Sequence, residues 1–525
     1  MRAMKKATKR MIALCLAAIM TMAMAVSAFA TMAEPMPAAG ATTGSLTVNV
    51  NDKNTLEGQT IKVYKLFDLT VNGSNYAYTV NADYKNAIAT ALGLPGTATS
   101  EELYKKLAEY TKDSTEIQKF ADDFTEAALK AGTQETATSE KLGKVEQYQF
   151  TNLVYGYYLV YQTGTKEIQS SLVSVDHATE NEITLKGEAP NIEKTATTPD
   201  GQGTVEIGQV VTYTITGTIP DTTGYDQYVY KITDTLSKGL DFVKNAQGEA
   251  QVGTTYAVSV QIKNGAPSIR NATLNGDANR TMTLDLSQWI RDPGTQKSKG
   301  QEFTVTYYAK VNEKAVVTEK NSAKLEYGNN PTDTTETTPS EAKTPTYPLQ
   351  IHKSIKDQKD SYLAGATFRL YRTEEDAKKH ENPIAVKGDN GNYTVDPEQT
   401  GPDKQYDMVS VGNEISLDSN MNLKLNGLAA GEYWLVETKA PDGYNGLTAP
   451  VKITITKSGD TDVNNWTISK GDDPAEADKI IDIENSTGTI LPETGGMGTV
   501  LFTAVAVIMI LGVAISFIRS RRTEE

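Results

Sequence analysis

Val211-Thr212-Tyr213-Thr214-Ile215-Thr216 alternates apolar and polar residues without a break. At a period of two, Val211, Tyr213 and Ile215 share one face of an extended strand and the threonines share the other. Working outward, the chain from Gly44 to about Ile490 keeps this pattern: short runs rich in Val, Ile, Thr and Tyr, separated by Gly, Asn, Asp and Pro. Short strands spaced by turn signals point to β-sandwiches. One stretch departs. Ser100 followed by Glu101 and Glu102 reads as a helix start, and Leu103, Leu107, Ile117, Phe120, Phe124 and Ala128 recur at helical spacing. The predicted fold is therefore all-β, in tandem sandwich domains, with a helix over 99–131 inserted into the first.

The 525 residues carry 51 Lys and Arg against 66 Asp and Glu, for a formal net charge of −15. An acidic surface repels phosphates and argues against nucleic acid as a partner. With 22% charged and 38% hydrophobic residues the composition is that of folded domains. The three histidines, at 177, 352 and 380, stand in unrelated contexts, so neither a histidine-based triad nor a multi-histidine metal site is expected. No cofactor is implied. The single cysteine, Cys15, excludes an intrachain disulfide.

Both ends read as processing signals. Arg2, Lys5, Lys6, Lys9 and Arg10 precede the apolar run Met11 to Val26 and the small-residue end Ser27-Ala28-Phe29-Ala30, which predicts a secretory signal peptide over 1–30. Cys15 leaves with it. At the other end Leu491-Pro492-Glu493-Thr494-Gly495 is followed by the apolar residues Val500 to Ile518 and by Arg519-Ser520-Arg521-Arg522. Nineteen apolar residues are about enough to cross the hydrocarbon core, with the arginines on the cytoplasmic side. That order of motif, apolar span and basic tail resembles the cell-wall sorting signal of Gram-positive bacteria. The resemblance implies that a sortase attacks the carbonyl of Thr494, releases Gly495 onward and transfers the chain to an amine. Membrane retention would then be transient. Without 1–30 and 495–525, 43 cations and 64 anions remain, a net charge of −21.

Two segments recur about three hundred residues apart. Thr60-Ile61-Lys62-Val63-Tyr64-Lys65 matches Thr367-Phe368-Arg369-Leu370-Tyr371-Arg372, and Leu153-Val154-Tyr155-Gly156-Tyr157-Tyr158 matches Leu428-Ala429-Ala430-Gly431-Glu432-Tyr433. The first and last domains thus look like versions of one unit. Between them lies a domain closed by the Thr/Pro-rich stretch 329–345, whose composition favours an extended connection. The expected organisation is a signal peptide (1–30), a mature N-terminal segment (31–43), domains at 44–189, 190–345 and 346–490, and the sorting signal (491–525).

Strand parity places charge where a core should be. Lys194 is in phase with Ile192, and Lys353 with Leu349 and Ile351; Asp234 follows Tyr228, Tyr230 and Ile232, and Glu437 follows Tyr433 and Leu435. Asn321 shares parity with Ala323, Leu325 and Tyr327, and Asn485 with Ile481 and Ile483. A single such residue is as well explained by slippage at a bulge. Two sets in the same order of Lys, acid and Asn are not. Burial neutralises an ammonium and a carboxylate alike. A neutral lysine is a nucleophile, and a protonated carboxyl can polarise an asparagine carbonyl and carry protons to departing ammonia. The product is a Lys–Asn isopeptide bond.

A family resemblance follows from two stretches around the last set. Leu363-Ala364-Gly365-Ala366-Thr367-Phe368-Arg369-Leu370-Tyr371 after Lys353, and Tyr433-Trp434-Leu435-Val436-Glu437-Thr438-Lys439-Ala440-Pro441-Asp442-Gly443-Tyr444 before Asn485, resemble the Cna B-type, Ig-like domains of sortase-assembled pilins. The second stretch resembles their E-box, with Glu437 as its glutamate. Ile232-Thr233-Asp234-Thr235-Leu236-Ser237-Lys238-Gly239-Leu240 resembles the pilin domain that uses an aspartate. The resemblance implies two intramolecular cross-links, Lys194–Asn321 with Asp234 and Lys353–Asn485 with Glu437. It also implies a structural, non-enzymatic protein whose partners are a sortase, other pilin subunits and peptidoglycan.

The first domain departs from this pattern. Gln162 stands where the repeat places Glu437, and Leu46-Thr47-Val48-Asn49-Val50 has no lysine, so no cross-link is expected there and this domain should be the least stable. The acceptor-lysine motif of backbone pilins is also missing: Lys186-Gly187-Glu188-Ala189-Pro190-Asn191 has no lysine directly after its proline, which leaves Lys186 as the nearest candidate acceptor. Asp460-Thr461-Asp462-Val463-Asn464 begins like a calcium loop but lacks its later glycine and glutamate, and reads as a turn. The expectation is a secreted, wall-linked backbone pilin of a cell-surface pilus. The alternative is an ancillary or monomeric wall-anchored adhesin that binds a host or surface ligand.

Overall fold

The computed structural model describes residues 42–50, 56, 59–112, 114–162, 170–176, 181–185, 189–222, 227–315, 320–330, 333–399, 404–459, 464–488 and 497–521. The signal peptide, Lys186, the sorting motif 491–495 and most of the calcium-like stretch lie outside them. The chain divides into two compact units between Tyr347 and Pro348, with 427–430 and 457–465 grouped with the first.

In the first unit, residues 43–185 build two sheets. The smaller orders Gln147–Val154, Thr43–Val50 and Asn181–Leu185; its central strand is antiparallel to the first neighbour and parallel to the second. The larger orders Asn75–Val80, Ile61–Asn72, Gly156–Gln162 and Ser171–Val175, with Ala137–Thr138 added to Ile61–Asn72. This larger sheet is covered on both faces. Ile61, Val63, Tyr158 and Val160 pack with Leu46, Val48 and Phe150 of the smaller sheet, whereas Tyr64, Phe67, Leu159 and Tyr161 pack beneath a helical layer. Two covered faces explain why Tyr158-Leu159-Val160-Tyr161 is a continuous apolar run and does not alternate.

The single helix expected over 99–131 is in fact two, Ser100–Ala108 and Thr115–Ala131, and a third, Lys85–Ala91, precedes them. Thr99, one residue earlier than expected, is the N-cap: its hydroxyl accepts from Glu102 N at 3.2 Å while the Glu102 carboxylate accepts from Thr99 N at 2.7 Å, a capping box. Ser114 starts the next helix by accepting from Ile117 N at 3.3 Å. Helical spacing persists across the break because Leu103, Leu107, Phe120 and Phe124 face one core cluster over one sheet face.

Residues 192–343 form a single hydrogen-bonded sheet of eleven strands, running from Asp333–Glu336 through Lys320–Asn330, Val229–Leu236, Thr281–Asp285, Ser268–Asn275, Thr255–Ile262, Glu302–Val311 and Val210–Thr218 to Ile192–Thr197, with Leu240–Val243 and Ser340–Lys343 attached. The stretch 329–345 is therefore not a bare connection. Asp333–Glu336 and Ser340–Lys343 both pair antiparallel with Lys320–Asn330, with Glu326 opposite Glu336 and Asn321 opposite Ala342. β-branched threonines suit a pleated surface, and the pairing covers a strand edge that would otherwise be open.

The second unit holds a six-stranded and a five-stranded sheet. The first orders Val386–Asp389, Asn392–Val395, Leu423–Leu428, Tyr347–Ile355, Ile481–Thr487 and Tyr444–Asn445; the second orders Met408–Val409, Thr367–Tyr371, Gly431–Lys439, Val451–Lys457 and Trp466–Lys470. Leu349, Ile351, Phe368, Leu370, Leu435, Ile453, Ile468 and Ile483 are buried. Opening and closing strands pair in parallel, as they do in 43–185, with Lys353 opposite Ile483 and Ile355 opposite Asn485. At the C-terminus Met497–Arg521 forms one helix, whose side chains are described over 503–519. Among the described residues no helix is long and apolar enough to cross a membrane.

Replacing Phe124, which is fully buried between helix and sheet, with alanine should destabilise the 43–185 region by about 3–5 kcal/mol, measured as a drop in its urea midpoint with the rest of the chain unchanged.

Candidate functional site

All six parity-selected residues are buried: Lys194, Asp234, Asn321, Lys353, Glu437 and Asn485. They gather in two clusters, one in each unit.

In the first cluster Lys194 comes from Ile192–Thr197, Asp234 from Val229–Leu236 and Asn321 from Lys320–Asn330. The last two strands are neighbours, while Lys194 lies at the far end of the same sheet, where its backbone N–H donates to Ser340 Oγ at 2.9 Å. Curvature of the sheet thus brings its ends together. The Lys194 amine bonds both the Asp234 carboxyl and the Tyr307 hydroxyl. It also sits 4.9 Å from the centre of the Tyr213 ring. Tyr307 donates to Asp234 Oδ2 at 2.7 Å and accepts from Asn321 Nδ2 at 3.1 Å. Asp234 Oδ1 and Asn321 Oδ1 are buried without a hydrogen-bond partner. Burial lowers the Lys194 pKa against the opposing pull of Asp234, and burial raises that of Asp234 against the pull of Lys194. Both shifts favour the neutral amine and the protonated acid.

In the second cluster Lys353 lies on Tyr347–Ile355, Glu437 on Gly431–Lys439 and Asn485 on Ile481–Thr487. Lys353 Nζ lies 2.5 Å from Asn485 Oδ1 and 3.5 Å from Glu437 Oε1. Asn485 Nδ2 donates to Glu437 Oε1 at 2.8 Å, and Glu437 Oε2 accepts from Leu447 N at 2.8 Å. Burial pushes the Lys353 amine down to about 8, with Glu437 opposing. Acid, amide and amine are therefore in contact, with the acid touching the nitrogen that would leave.

Two contributors were invisible to strand parity. Tyr307 shares its inward face with Phe303, Val305 and Ala309, so parity marks it as core but not as the neighbour of Lys194. Asn422 is fully buried and clamps the lysine strand, accepting from Lys353 N at 2.7 Å and donating to Lys353 O at 3.0 Å. No periodic signal distinguishes it from a turn asparagine.

The first repeat lacks this chemistry. Ile61 is paired with Gln162 as Phe368 is with Glu437, so Gln162 occupies the acid's place in register. It donates to Gln59, also buried, which leaves Gln59 Nε2 and Gln162 Oε1 without partners. On the parallel opening and closing strands the buried residues are Leu46, Val48, Asn181 and Leu185, with no lysine among them.

Residues 348–469 match the SpaA prealbumin-like fold domain family. The stretch includes Lys353 and Glu437. No curated protein matches the sequence. Among solved structures, the T6 backbone pilin of serotype M6 Streptococcus pyogenes is 17% identical at a TM-score of 0.43, covering 87% of this chain and 100% of its own. The Corynebacterium diphtheriae major pilin SpaA is 18% identical at 0.43, covering 85% and 100%, and BcpA, the major pilin subunit of Bacillus cereus, is 18% identical at 0.35, with the same coverage. All three are named as backbone or major pilins. The prealbumin-like domain match and the cluster geometry stand independently of them.

The lowered Lys353 pKa has a testable sign. Between about 8 and the ordinary 10.5 the unfolded chain binds the proton that the folded amine has released, so stability rises with pH across that window. Thermal melts of Asn485→Ala, which keeps the amine free, should therefore approach those of Lys353→Met, Asn485→Ala as pH rises from 8 to 10.5. A constant gap would contradict the shift.

Proposed function

We propose that this chain is the backbone subunit of a covalently assembled cell-surface pilus, stabilised by two self-formed isopeptide bonds, Lys194–Asn321 and Lys353–Asn485. The reading is carried by one observation: each cluster buries an amine, an acid and a carboxamide in one hydrogen-bonded group, on strands that open and close a fold unit. On this reading the β domains span 44–189, 190–345 and 346–490, and only the last two are cross-linked.

In each cluster the neutral lysine attacks the asparagine Cγ, the acid polarises the carboxamide and ammonia departs. Nothing external is consumed, so folding alone drives the reaction. By the loop-entropy relation used for disulfides, closing loops of this size contributes about 5 kcal/mol each. An amide also resists the reductants that open a disulfide. Export without cysteine in the mature chain is consistent with that substitution. Attachment is assigned to Thr494 through a sortase, first to a lysine of the next subunit and finally to peptidoglycan, with Lys186 as the candidate acceptor.

The intact mass of recombinant 31–490 should fall short of the sequence mass by two molecules of ammonia. Glu437→Ala and Asp234→Ala should each restore one, and an undiminished wild-type mass would refute both bonds. Assembly is tested separately. Wall extracts on a denaturing gel should give a ladder of boiling-resistant multimers that Thr494→Ala abolishes; a single monomer-sized band would exclude the backbone role.

A further inference from the structure

The two clusters differ in how the acid reaches the leaving nitrogen. Glu437 Oε1 touches Asn485 Nδ2 directly at 2.8 Å. Asp234 is one methylene shorter, and its Oδ2 accepts from the Tyr307 hydroxyl at 2.7 Å, which in turn accepts from Asn321 Nδ2 at 3.1 Å. The same hydroxyl bonds the Lys194 amine. Tyr307 thus bonds nucleophile, acid and leaving nitrogen together, and Asn321 itself also bears on the Asp234 carboxyl. In the second cluster Lys353 Nζ lies 5.9 Å from the centre of the Phe368 ring, which carries no hydroxyl.

We infer that Tyr307 is a catalytic residue of the Lys194–Asn321 reaction, relaying the acid's proton to the departing ammonia. This rests on the isopeptide reading above. The neutral Lys194 amine forms a bond to Asn321 Cγ, giving a tetrahedral centre. Tyr307 passes its hydroxyl proton to Nδ2 and takes the carboxyl proton of Asp234. The Cγ–Nδ2 bond breaks and ammonia leaves, while the surplus proton on Lys194 Nζ returns to Asp234. One amine and one carboxamide become one amide and one ammonia, and both Tyr307 and Asp234 are regenerated. Burial raises the Tyr307 pKa well above the ordinary tyrosine value, so the hydroxyl holds its proton until the transfer.

Aspartate plus tyrosine hydroxyl therefore does what glutamate does alone. Removing the hydroxyl should disable the first reaction and spare the second, and lengthening the acid should compensate.

The test follows cross-linking over time in the full mature chain, 31–494, made by pulsed cell-free synthesis. Proteolysis and mass spectrometry then read each cross-linked peptide separately. Tyr307→Phe should slow the Lys194–Asn321 bond on the order of a hundredfold, the range of a proton-transfer contribution, while Lys353–Asn485 forms at the wild-type rate. Tyr307→Phe with Asp234→Glu should recover most of the loss. A rate in Tyr307→Phe within twofold of wild type would overturn the relay. So would a loss that Asp234→Glu does not recover, because the hydroxyl would then serve packing alone. If the wild-type chain forms no Lys194–Asn321 bond, the isopeptide reading itself fails, which distinguishes the two outcomes.

Discussion

The constraint on which the two buried clusters depend is the penalty for keeping a charge out of water. An ammonium sealed from solvent is tolerated only if it is paired or loses its proton, and Lys194 and Lys353 are both sealed. In each case burial favours the neutral amine over the pull of the adjacent acid. The same burial that would make a charged lysine a liability in a finished core favours the neutral form, the one able to act as a nucleophile. Apolar walls, Tyr213 above Lys194 and Phe368 beside Lys353, exclude the water that would restore the charge.

Burial does not by itself bring three polar groups together. That is the work of strand order. Lys353 and Asn485 meet because opening and closing strands pair in parallel, two residues out of phase. Lys194 and Asn321 are on strands that are not neighbours in the sheet, and share a cluster because its two ends converge. Two different routes arrive at a similar local chemistry. They use different acids, and the geometry accommodates the difference with Tyr307.

Much of this was legible in the sequence because the informative signal had a period of two. Parity in Tyr347–Ile355, Lys320–Asn330 and Ile481–Thr487 marked the buried lysine and asparagines without reference to the fold. The repeat also aligned Gln162 with Glu437 correctly, since Gly156 and Gly431 both open the strand concerned. What was not legible depended on long-range packing. The break at Glu109–Ser114 was hidden because helices on either side show their apolar faces to one sheet. The pairing of 333–343 was obscured by a composition that suits linkers and edge strands equally. Tyr307 was hidden for a related reason: every inward residue of Glu302–Val311 has the same parity, and only the sheet's closure singles out the one that meets Lys194.

On the proposed cross-linking, the first region has a mechanical meaning. A chain pulled from its ends can lengthen only through residues that lie outside a covalent loop. A bond from Lys353 to Asn485, 132 positions apart, would withhold roughly 450 Å of extended chain, at about 3.4 Å per residue. The Lys194 bond would withhold a similar length. Residues 43–185, held by the Gln59–Gln162 contact and their two cores, would keep theirs available. As the proposed fibre subunit, the chain would behave under tension as two inextensible links joined to one reversible spring, and recoil of that spring would set how far such a fibre stretches before its joints carry the strain.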